Sequence, residues 1–420
     1  MLYRLGYFLY WVGTKLYFIL VQLSAPFNQR AKDLLSGQKG LIDCILKAEK
    51  NQNQKSIWFH VSSLGEFEQG RPVMEALKAK YPQYRLVVTI FSPSGYHARK
   101  NDPLCDAVYF LPFESKKNAE LLVQTFKPVV AVWVKYDFWF AYLQALNKHY
   151  IPTFLIAAQF RPTQIFFKPF GAFKRDLLKL FTHIFCQNDS SLALLQSIKL
   201  DQCSVSGDNR FDRVYQTTLH KEQVPFVNDF CKDAFILIAG SSYAIEENML
   251  LSIDWNQTNK KLIIAPHFVH EARITEIEKK FGDQSIRYST LQQIGSVPAN
   301  KTILIIDSIG WLSKLYQYAH TAYIGGGFVE NGLHNCLEAA AFGMPICFGP
   351  KLKRFPEAQL LVKEEIATCI YQVSDFTKWF NALENDKKTT HEIALKSRNF
   401  VASSMGATEK VMREISRILT

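Results

Sequence analysis

The chain has 420 residues, more than one hydrophobic core ordinarily serves, and this length predicts two large domains. Its composition of 48% hydrophobic and 21% charged residues excludes an intrinsically disordered protein. The formal net charge of +11 favours acidic partners, namely nucleic acid, anionic lipid or phosphorylated substrates, and charge alone does not choose among them. The eight cysteines include no C-x-x-C pair and no nearby histidine cluster, so we expect buried free thiols in a reducing compartment and no metal centre.

The N-terminal segment from Leu5 to Leu23 is apolar and aromatic and has about the length that crosses a bilayer. On a helix, four residues in and beside it return to one narrow stripe: Arg4, Trp11, Lys15 and Gln22. The other faces are apolar, so we predict a membrane-anchor helix over residues 1–26, either a tilted span or a helix lying in the interface. A cleaved signal peptide is the alternative. The positive-inside rule places the chain that follows in the cytoplasm, because basic residues come next: Arg30, Lys32 and Lys39.

Short apolar runs alternate with amphipathic stretches through the rest of the chain, a pattern typical of βαβ units and parallel sheets. Runs of the first half lie at residues 57–61, 86–91, 107–111, 129–134, 153–157 and 183–186. Runs of the second half lie at residues 235–239, 262–265, 303–306, 322–324 and 346–348. We predict an α/β fold of two Rossmann-like domains at residues 27–215 and 233–405. A linker at 216–232 joins them, and a closing helix at 406–420 can return to the first domain.

The stretch from Gly325 to Pro350 predicts a strand, a glycine loop, a helix over residues 334–341 and another strand. In open α/β sheets, ligands bind outside the carboxyl ends of the strands, and a helix N-terminus there favours phosphate. Asn335 and Glu338 share a face of the predicted helix and offer an amide and a carboxylate that suit ribose hydroxyls. The alternative is a glycine turn with a capping Asn and a surface Glu.

Residues 60–66 read HVSSLGE and end the first predicted strand. Ser62 or Ser63 can cap the next helix, and Gly65 allows a ligand to come close. Glu66 then lies in the first helical turn, where a carboxylate is placed to act as a general base. The alternative is structural, because Ser-x-x-Glu is also a capping box.

Further polar groups follow other strands or lie among aromatic residues. Lys135 and Asp137 follow one strand, Pro266 and His267 follow another, and Arg210 lies just before the linker. Residues 161–175 interleave phenylalanines with basic residues that suit anionic lipid headgroups: Arg161, Lys168, Lys174 and Arg175. A phenylalanine-rich core is the alternative for this stretch, and a structural histidine is the alternative for His267.

Taken together, these motifs resemble the 3-deoxy-D-manno-octulosonic acid (Kdo) transferase family, which attaches Kdo to a lipid A precursor. The resemblance runs in order along almost the whole chain, through the apolar N-terminus and residues 60–66, 206–212, 265–267 and 307–312. Its most specific part is residues 325–350, with His334, Asn335 and Glu338.

The resemblance implies a GT-B-like fold in which two Rossmann-like domains face a central cleft. It implies an inverting, metal-independent transfer of Kdo from CMP-Kdo to tetraacyldisaccharide 4'-phosphate in lipopolysaccharide biosynthesis. CMP-Kdo is a substrate, and no cofactor is expected. The base and the acceptor would belong to the first domain and CMP-Kdo to the second. The expected partners are these substrates and an anionic membrane surface, not nucleic acid, at the cytoplasmic face of the cell inner membrane.

The expected site residues follow from the same motifs. The catalytic base is Glu66. The donor-binding residues are Arg210, Pro266, His267, Gly325, Gly326, Gly327, Asn335 and Glu338. The acceptor-binding residues are Ser63, Gly65, Lys135, Asp137, Arg161, Lys168, Lys174 and Arg175.

The sequence departs from the family pattern at several positions. His267 stands where an Arg is usual, and a neutral imidazole lacks the charged fork of a guanidinium for phosphate. Lys135 and Asp137 stand where two glutamates are common, which bears on acceptor recognition. Leu333 and Cys336 replace a Gly and a Pro.

Two other function classes stay open on the residues alone. One is a different GT-B transferase that uses another nucleotide-sugar, and the other is a non-catalytic, membrane-associated nucleotide-binding module. Turnover of CMP-Kdo, turnover of a UDP-sugar, or binding without turnover separates the three.

Overall fold

The computed structural model describes residues 2–135, 137–219, 221–257, 259–330 and 332–419, without the side chains of residues 2–5. The predicted place of Arg4 in the polar stripe therefore lies outside the described side chains. The chain forms two compact units. The first comprises the residues up to Arg213 and those from Met405 onward, and the second comprises Val214–Ser404. The described residues that we expected as a linker, 216–219 and 221–232, belong to the second unit, and the helix Asn209–Leu219 runs across the boundary between the units.

The first unit alternates strands and helices. Its elements before the crossing to the second unit are α1 (Leu2–Ser24), α2 (Gln29–Gln38), α3 (Leu41–Glu49), β1 (Ser56–Val61), α4 (Leu64–Lys80), β2 (Arg85–Ile90), α5 (Pro93–Arg99), β3 (Ala107–Phe110), α6 (Lys116–Phe126), β4 (Pro128–Val134), α7 (Phe140–Lys148), β5 (Thr153–Ala158), a 3-10 helix (Ile165–Phe167), α8 (Ala172–Leu178), β6 (His183–Cys186), α9 (Asp189–Ser197), β7 (Cys203–Val205) and α10 (Asn209–Leu219). The strands pair in parallel in the order β3-β2-β1-β4-β5-β6-β7. The chain order reverses between β1 and β4, and such a switch point is the usual ligand crevice of an open α/β sheet.

The second unit repeats this architecture. Its elements are α11 (Val227–Cys231), β8 (Phe235–Ser242), α12 (Ala244–Leu250), β9 (Lys260–Pro266), α13 (Glu271–Phe281), a 3-10 helix (Gly282–Gln284), β10 (Ser285–Arg287), α14 (Tyr288–Ile294), β11 (Ile303–Ile305), α15 (Leu312–Leu315), a 3-10 helix (Tyr316–Tyr318), β12 (Thr321–Ile324), α16 (Leu337–Ala341), β13 (Ile346–Phe348), α17 (Pro356–Lys363), β14 (Ala367–Cys369), α18 (Val373–Asn385) and α19 (Lys387–Ser403). Its parallel sheet has the order β10-β11-β9-β8-β12-β13-β14, so the switch point lies between β8 and β12.

The apolar runs of the sequence are strands of these two sheets, and the α/β, GT-B-like class is confirmed. β1 and β2 are buried along their whole length, and the side chains of β1 enter two cores on opposite faces of the first sheet, with Trp58 in one and Phe59 in the other. Burial on both faces explains why these strands read as continuous apolar runs. The strands missed from the sequence, β7, β10 and β14, lie at sheet edges and have three residues each, which is too short for a recognisable apolar run when at least one of the three is polar.

Helix α1 lies against the first unit, and its inward side joins the core there. Tyr10 Oη donates a hydrogen bond of 2.5 Å to Glu114 Oε2. The rings of Tyr7 and Tyr10 lie 5.3 and 6.0 Å from the ring of Phe140, and both also contact Phe173. The opposite side of the helix exposes large apolar side chains: Phe8, Leu9, Val12, Leu16, Ile19, Leu20 and Leu23. The helix is therefore part of the first unit with one apolar side left open.

Length and hydropathy identify no single membrane-crossing helix among the described residues. The segments Gly6–Ser24 and Gln29–Gln38 meet the requirement only as a pair, and they are bent by 116° at the break between them. The side chain of Asn28 accepts hydrogen bonds from the N–H groups of Arg30 and Ala31, so an N-cap starts the second helix of this pair at the bend.

The last helix, α20 (Ala407–Leu419), belongs to the first unit. The Asp212 carboxylate accepts hydrogen bonds from the N–H groups of Gly406 at 2.7 Å and Thr408 at 2.8 Å, which caps this helix. Its apolar side is buried in the core that also contains α4, through Val411, Met412 and Ile415.

Candidate active site

Glu66 lies in the first turn of α4, directly after β1 and at the switch point of the first sheet. Ser63 is the N-cap of α4, and its Oγ accepts a hydrogen bond from the Glu66 N–H at 3.4 Å. The Glu66 carboxylate reaches back past the cap and accepts a hydrogen bond from the Ser62 N–H at 2.5 Å. The serine cap of the structural alternative is therefore present. The carboxylate is also fixed by backbone while it stays only half-buried, which leaves it open to a substrate.

Asp137 lies in the loop after β4, on the other side of the switch point. Its Oδ2 is 3.2 Å from Nε2 of His60 and 3.2 Å from Nε1 of Trp139. His60 is fully buried in β1, and its Nδ1 lies 3.0 Å from Oγ1 of Thr89. Burial works to raise the pKa of Asp137, but the hydrogen bonds from His60, Ser62 and Trp139 outweigh it and hold this pKa below its ordinary value. Asp137 is therefore a fixed anion beside Glu66.

The surroundings raise the pKa of Glu66 above the ordinary value of a glutamate. Burial is the largest cause, and the charge of Asp137 acts in the same direction. The Ser62 N–H, His60 and Lys135 act in the opposite direction and do not cancel it. A more basic carboxylate takes a proton from a hydroxyl more readily, as a general base must.

Four predicted acceptor residues lie with Glu66 at these two strand ends: Ser63, Gly65, Lys135 and Asp137. A Cβ atom added to Gly65 would meet nothing within 4 Å, so the space beside the first turn of α4 is open. Lys135 has a φ of 64°, a left-handed conformation that is unfavourable for a residue with a side chain. Backbone strain of this kind concentrates at functional sites.

The predicted lipid-facing stretch, residues 161–175, contains both buried and exposed phenylalanines. Phe166 and Phe173 are buried in the core, as the structural alternative expects, whereas Phe170 is 75% exposed. Arg175 Nη1 donates to the backbone oxygens of Phe166 at 3.1 Å and Lys168 at 2.9 Å. This guanidinium therefore holds the loop together, and its contact with the acceptor stays a prediction.

The other basic residues of this stretch differ in their surroundings. Arg161 is exposed, and its backbone N–H donates to Gln164 Oε1 at 2.9 Å. Lys168 is half-buried. Lys174 Nζ lies 4.9 Å from the centre of the Tyr10 ring of α1, and burial lowers its pKa although the charge of Glu114 opposes this. Lys174 is thus the basic residue of this stretch that lies against α1.

In the second unit, the three glycines follow β12 at the switch point of the sheet. An added Cβ would lie 2.1 Å from Ser241 O at Gly325, 2.2 Å from Gly332 O at Gly326, and 2.4 Å from Gly349 N at Gly327. Gly326 also has a φ of 95°. Glycine is therefore required here because the backbone of the protein itself passes so closely.

The helix predicted over residues 334–341 is shorter in the structure. It begins at Leu337 and has five residues. Asn335 precedes it, and its Oδ1 accepts a hydrogen bond from the Leu337 N–H at 3.1 Å, while its Nδ2 donates to Glu338 Oε1 at 2.8 Å. An asparagine side chain that bonds nearby backbone in this way favours a turn over a helix. Asn335 and Glu338 therefore do not share a helix face, but they contact each other directly.

Three aromatic rings from separate segments stack in the second unit. The ring of His267, after β9, lies 4.9 Å from that of Tyr243 and 4.5 Å from that of His334. Tyr243 Oη is 3.1 Å from His334 Nε2. Burial lowers the pKa of His267, and burial together with the neighbouring His267 lowers that of His334 to about 4. Both imidazoles are therefore neutral at neutral pH and offer polar N–H groups without charge. Pro266 ends β9 immediately before this stack.

Glu246, which the sequence reasoning did not single out, stands beside the glycine loop. It is 0% exposed and accepts hydrogen bonds from the N–H groups of Gly326 at 2.7 Å and Tyr243 at 3.0 Å. Burial raises its pKa to about 7, although these N–H groups act to lower it. Its place after the central strand β8 parallels that of Glu66 after β1, and this parallel is the signal that could have found it. Of these two glutamates, Glu66 is the more exposed one and can meet a substrate.

Arg210, predicted to bind the donor, lies in the first unit. Its guanidinium pairs with Asp208, with Nη2 2.7 Å from Oδ2. The other predicted donor residues lie in the second unit, around the ends of β9 and β12. No single unit therefore brings Arg210 together with them.

A family model and several known proteins that match this chain are described as transferases. Residues 40–213 match the family model described as 3-Deoxy-D-manno-octulosonic-acid transferase (kdotransferase). A 3-deoxy-D-manno-octulosonic acid transferase of Aquifex aeolicus is 23% identical over 82% of this chain and 89% of the relative. A bifunctional glycosyltransferase/methyltransferase of Fusobacterium nucleatum is 22% identical over 81% of this chain, and the match spans 54% of that longer relative.

A solved structure supports the fold. UDP-GlcNAc 2-epimerase from Neisseria meningitidis matches with a TM-score of 0.58 and 15% identity over 87% of this chain and 99% of that chain. At this identity the likeness concerns the fold alone. The family match and the transferase relatives agree with the motifs from which the resemblance was drawn. Through the family model over residues 40–213 and through relatives that match across most of its length, the chain is similar to the 3-deoxy-D-manno-octulosonic acid transferases, which are glycosyltransferases.

Proposed function

We propose that the protein transfers Kdo from CMP-Kdo to a lipid A precursor, tetraacyldisaccharide 4'-phosphate, by an inverting and metal-independent reaction in which Glu66 is the general base. The observation that carries this proposal is the state of the Glu66 carboxylate. It is fixed by the Ser62 N–H at 2.5 Å, half-buried, raised in pKa, and located at the switch point of the first sheet. These are the properties that a base acting on an acceptor hydroxyl requires.

The proposed step balances without any further reactant. The acceptor hydroxyl gives its proton to Glu66 while its oxygen forms a bond to C2 of Kdo. The bond between C2 and the phosphate oxygen breaks, and its electron pair leaves with CMP. Attack from the side opposite the leaving group inverts C2. A positioned general base is worth roughly 10² to 10⁴-fold in rate.

Donor recognition is assigned to the second unit. Asn335 and Glu338, which are linked by a hydrogen bond of 2.8 Å, suit ribose hydroxyls as donor and acceptor. His267 would contribute an N–H group to the phosphate and not a charge, because burial lowers its pKa. Gly325–Gly327 fix the backbone beside these residues, and Arg210 would have to reach the donor from the first unit.

Acceptor recognition is assigned to the first unit. The charge of Lys135 acts on Glu66, Lys174 lies against Tyr10 of α1, and Arg161 and Lys168 add positive charge for phosphate groups. The open apolar side of α1 suits contact with an anionic membrane, at the cytoplasmic face of the cell inner membrane. Ser63, Gly65 and Asp137 would border the acceptor hydroxyl beside the base.

Product mass tests the proposal. The purified full chain is incubated with CMP-Kdo and the tetraacylated precursor in detergent, and in parallel with UDP-sugars. We expect the acceptor mass to increase by Kdo only with CMP-Kdo, and Glu66→Gln to abolish most of the increase. Transfer from a UDP-sugar instead would support the other transferase class, and binding of CMP without any transfer would support the non-catalytic module.

A further inference from the structure

A cavity of about 380 Å³ lies in the first unit between α1 and the loop after β4. Its walls are mainly apolar and aromatic. They include Leu9, Gly13 and Tyr17 of α1, Phe138 and Trp139 of the loop, and Lys174 of α8. We propose that this cavity binds an acyl chain of the lipid acceptor, so that α1 is a wall of the substrate site as well as a membrane contact. This inference rests on the proposed function.

The cavity is connected to the candidate base through one short loop. Asp137 lines the cavity, and its carboxylate also contacts His60 at 3.2 Å and raises the pKa of Glu66. A lipid chain held beside Trp139 would therefore have its polar end close to Glu66.

The charge in the cavity fits an amphiphile with an anionic end. Within the described part of the chain, no carboxylate lies at ion-pair distance from Lys174, whose ammonium stands over the Tyr10 ring at 4.9 Å. The nearby Glu114 is occupied by the Tyr10 hydroxyl and by the Ala141 N–H at 2.6 Å. A phosphate at the mouth of the cavity would give this ammonium a partner, while a chain of methylene groups would fill the apolar part.

The cavity is also continuous with the open apolar side of α1. Leu9 is exposed on that side and lines the cavity as well. An acyl chain could therefore pass from the membrane to the cavity along apolar surface without crossing water, and the apolar contact would favour it at each stage.

Gly13 gives a direct way to block the cavity. A Cβ added there would meet nothing within 4 Å, although the residue lies inside a 23-residue helix. A larger residue at this position would enter open space, and replacing a helical glycine favours the helix itself. The graded series Gly13→Ala, Gly13→Leu and Gly13→Phe should fill the cavity progressively without strain. Leu46→Phe is the matched control, because Leu46 is an exposed residue of α3 away from the cavity.

The experiment compares two acceptors in detergent with CMP-Kdo as donor: the tetraacylated disaccharide phosphate and the same compound with its acyl chains removed. We expect the KM for the acylated acceptor to rise along the series and to reach at least about tenfold with Phe, the loss of roughly 1.4 kcal/mol of binding. kcat/KM for the deacylated acceptor should stay constant, and the control should change neither value. Binding of the acylated acceptor without donor, measured by calorimetry, should weaken in the same order.

Other outcomes overturn the inference. If the folded variants of the series all have the same KM for the acylated acceptor, the cavity does not take part in acceptor binding. A series that weakens flotation with anionic vesicles but leaves the acylated KM unchanged would assign the cavity to bulk phospholipid. If Phe prevents folding, the Ala and Leu variants still decide. Failure of the parent protein to transfer Kdo to either acceptor refutes the proposed function instead, which keeps the two failures distinct.

Discussion

The Asp137 carboxylate lies 3.2 Å from Nε2 of His60, and this contact joins the loop after β4 to the strand that leads to Glu66. Asp137 is thereby kept charged, since hydrogen bonds hold its pKa below the ordinary value against the effect of burial. A permanent anion beside a half-buried glutamate makes that glutamate more basic. The base and its neighbour are thus a coupled pair.

Glu66→Gln tests the base directly. The amide has nearly the shape of the carboxylate and lacks its basicity, so we expect kcat to fall by at least about a hundredfold. CMP binding should be unchanged, because the predicted donor residues other than Arg210 lie in the other unit, and the melting temperature should change little, because the amide oxygen can still accept the hydrogen bond from the Ser62 N–H. Normal turnover by the folded variant would leave Glu66 with only a structural role at the start of α4.

The pH dependence of kcat tests the coupling. A base works in its deprotonated form, so activity is lost as pH falls through the raised pKa of Glu66. Asp137→Asn removes an anion that raises this pKa, and the acid limb of the profile should move to lower pH. Lys135→Met removes a cation that lowers it, and the limb should move to higher pH. Shifts in the same direction would show that at least one of the two residues does not act on Glu66 through its charge.

Glu338→Ala should mainly weaken donor binding. The carboxylate holds the amide of Asn335 at 2.8 Å, so its removal affects two groups suited to the ribose. Hydrogen bonds to charged groups are worth about 1.5–3 kcal/mol, which predicts at least a roughly tenfold rise in the donor KM. Steady-state titration of both substrates measures this, with the exposed Glu392→Ala as control. A change confined to the acceptor KM would contradict the assignment of the second unit to the donor.

His267 should make donor binding depend on pH. Burial holds the pKa of His267 below the usual value of a histidine. The imidazole is therefore neutral at neutral pH and gains a positive charge as the pH falls towards this lowered pKa. We therefore expect the KM for the anionic donor to decrease on mild acidification in the parent protein and to stay flat in His267→Asn. His267→Arg should lower the donor KM at neutral pH by about tenfold, since a charged donor replaces a neutral one. An unchanged KM in the Arg variant would exclude this ring from the phosphate site.

Tyr10→Phe tests whether α1 is structural. The variant leaves the buried Glu114 without its 2.5 Å hydrogen bond, and an unsatisfied buried group costs about 1–3 kcal/mol. Urea denaturation should report a loss of this size in the free energy of unfolding. Tyr150→Phe, which removes a hydroxyl at a fully solvent-facing position, should change nothing comparable. Equal free energies of unfolding for the two variants would mean that the hydrogen bond from Tyr10 of α1 to Glu114 does not stabilise the first unit.

The sequence predicts the parts of this molecule that burial dictates. The central strands are predictable because both of their faces are covered, and the place of Glu66 in the first turn after such a strand is predictable because a serine and a glycine precede it, whereas its role as base stays a prediction. The length of α16 was not found, because the choice between helix and turn depends on the local bonds of Asn335. Glu246 was missed because one of its partners, the Gly326 N–H, belongs to the glycine loop 80 residues away.

The packing of α1 against the first unit could not be predicted from the sequence either. A stripe of Tyr and Phe residues reads alike whether it faces lipid or protein, and its partners Phe140 and Phe173 are distant along the chain. The cysteines give a similar result, since Cys186, Cys336 and Cys347 are buried but Cys44 is exposed. Whether an apolar side chain faces lipid or the protein core is decided by the tertiary structure and cannot be read from the sequence.

Because α20 belongs to the first unit, the two units complete their folding in a fixed order during synthesis. The second unit is an uninterrupted segment, so it can fold as soon as Ser404 has left the ribosome. The first unit begins earlier but cannot complete its core until the last helix delivers Val411, Met412 and Ile415. The half that carries the candidate base is therefore the last to finish. A premature stop before α20 would remove no residue of the second unit but would leave the first unit with an uncovered core.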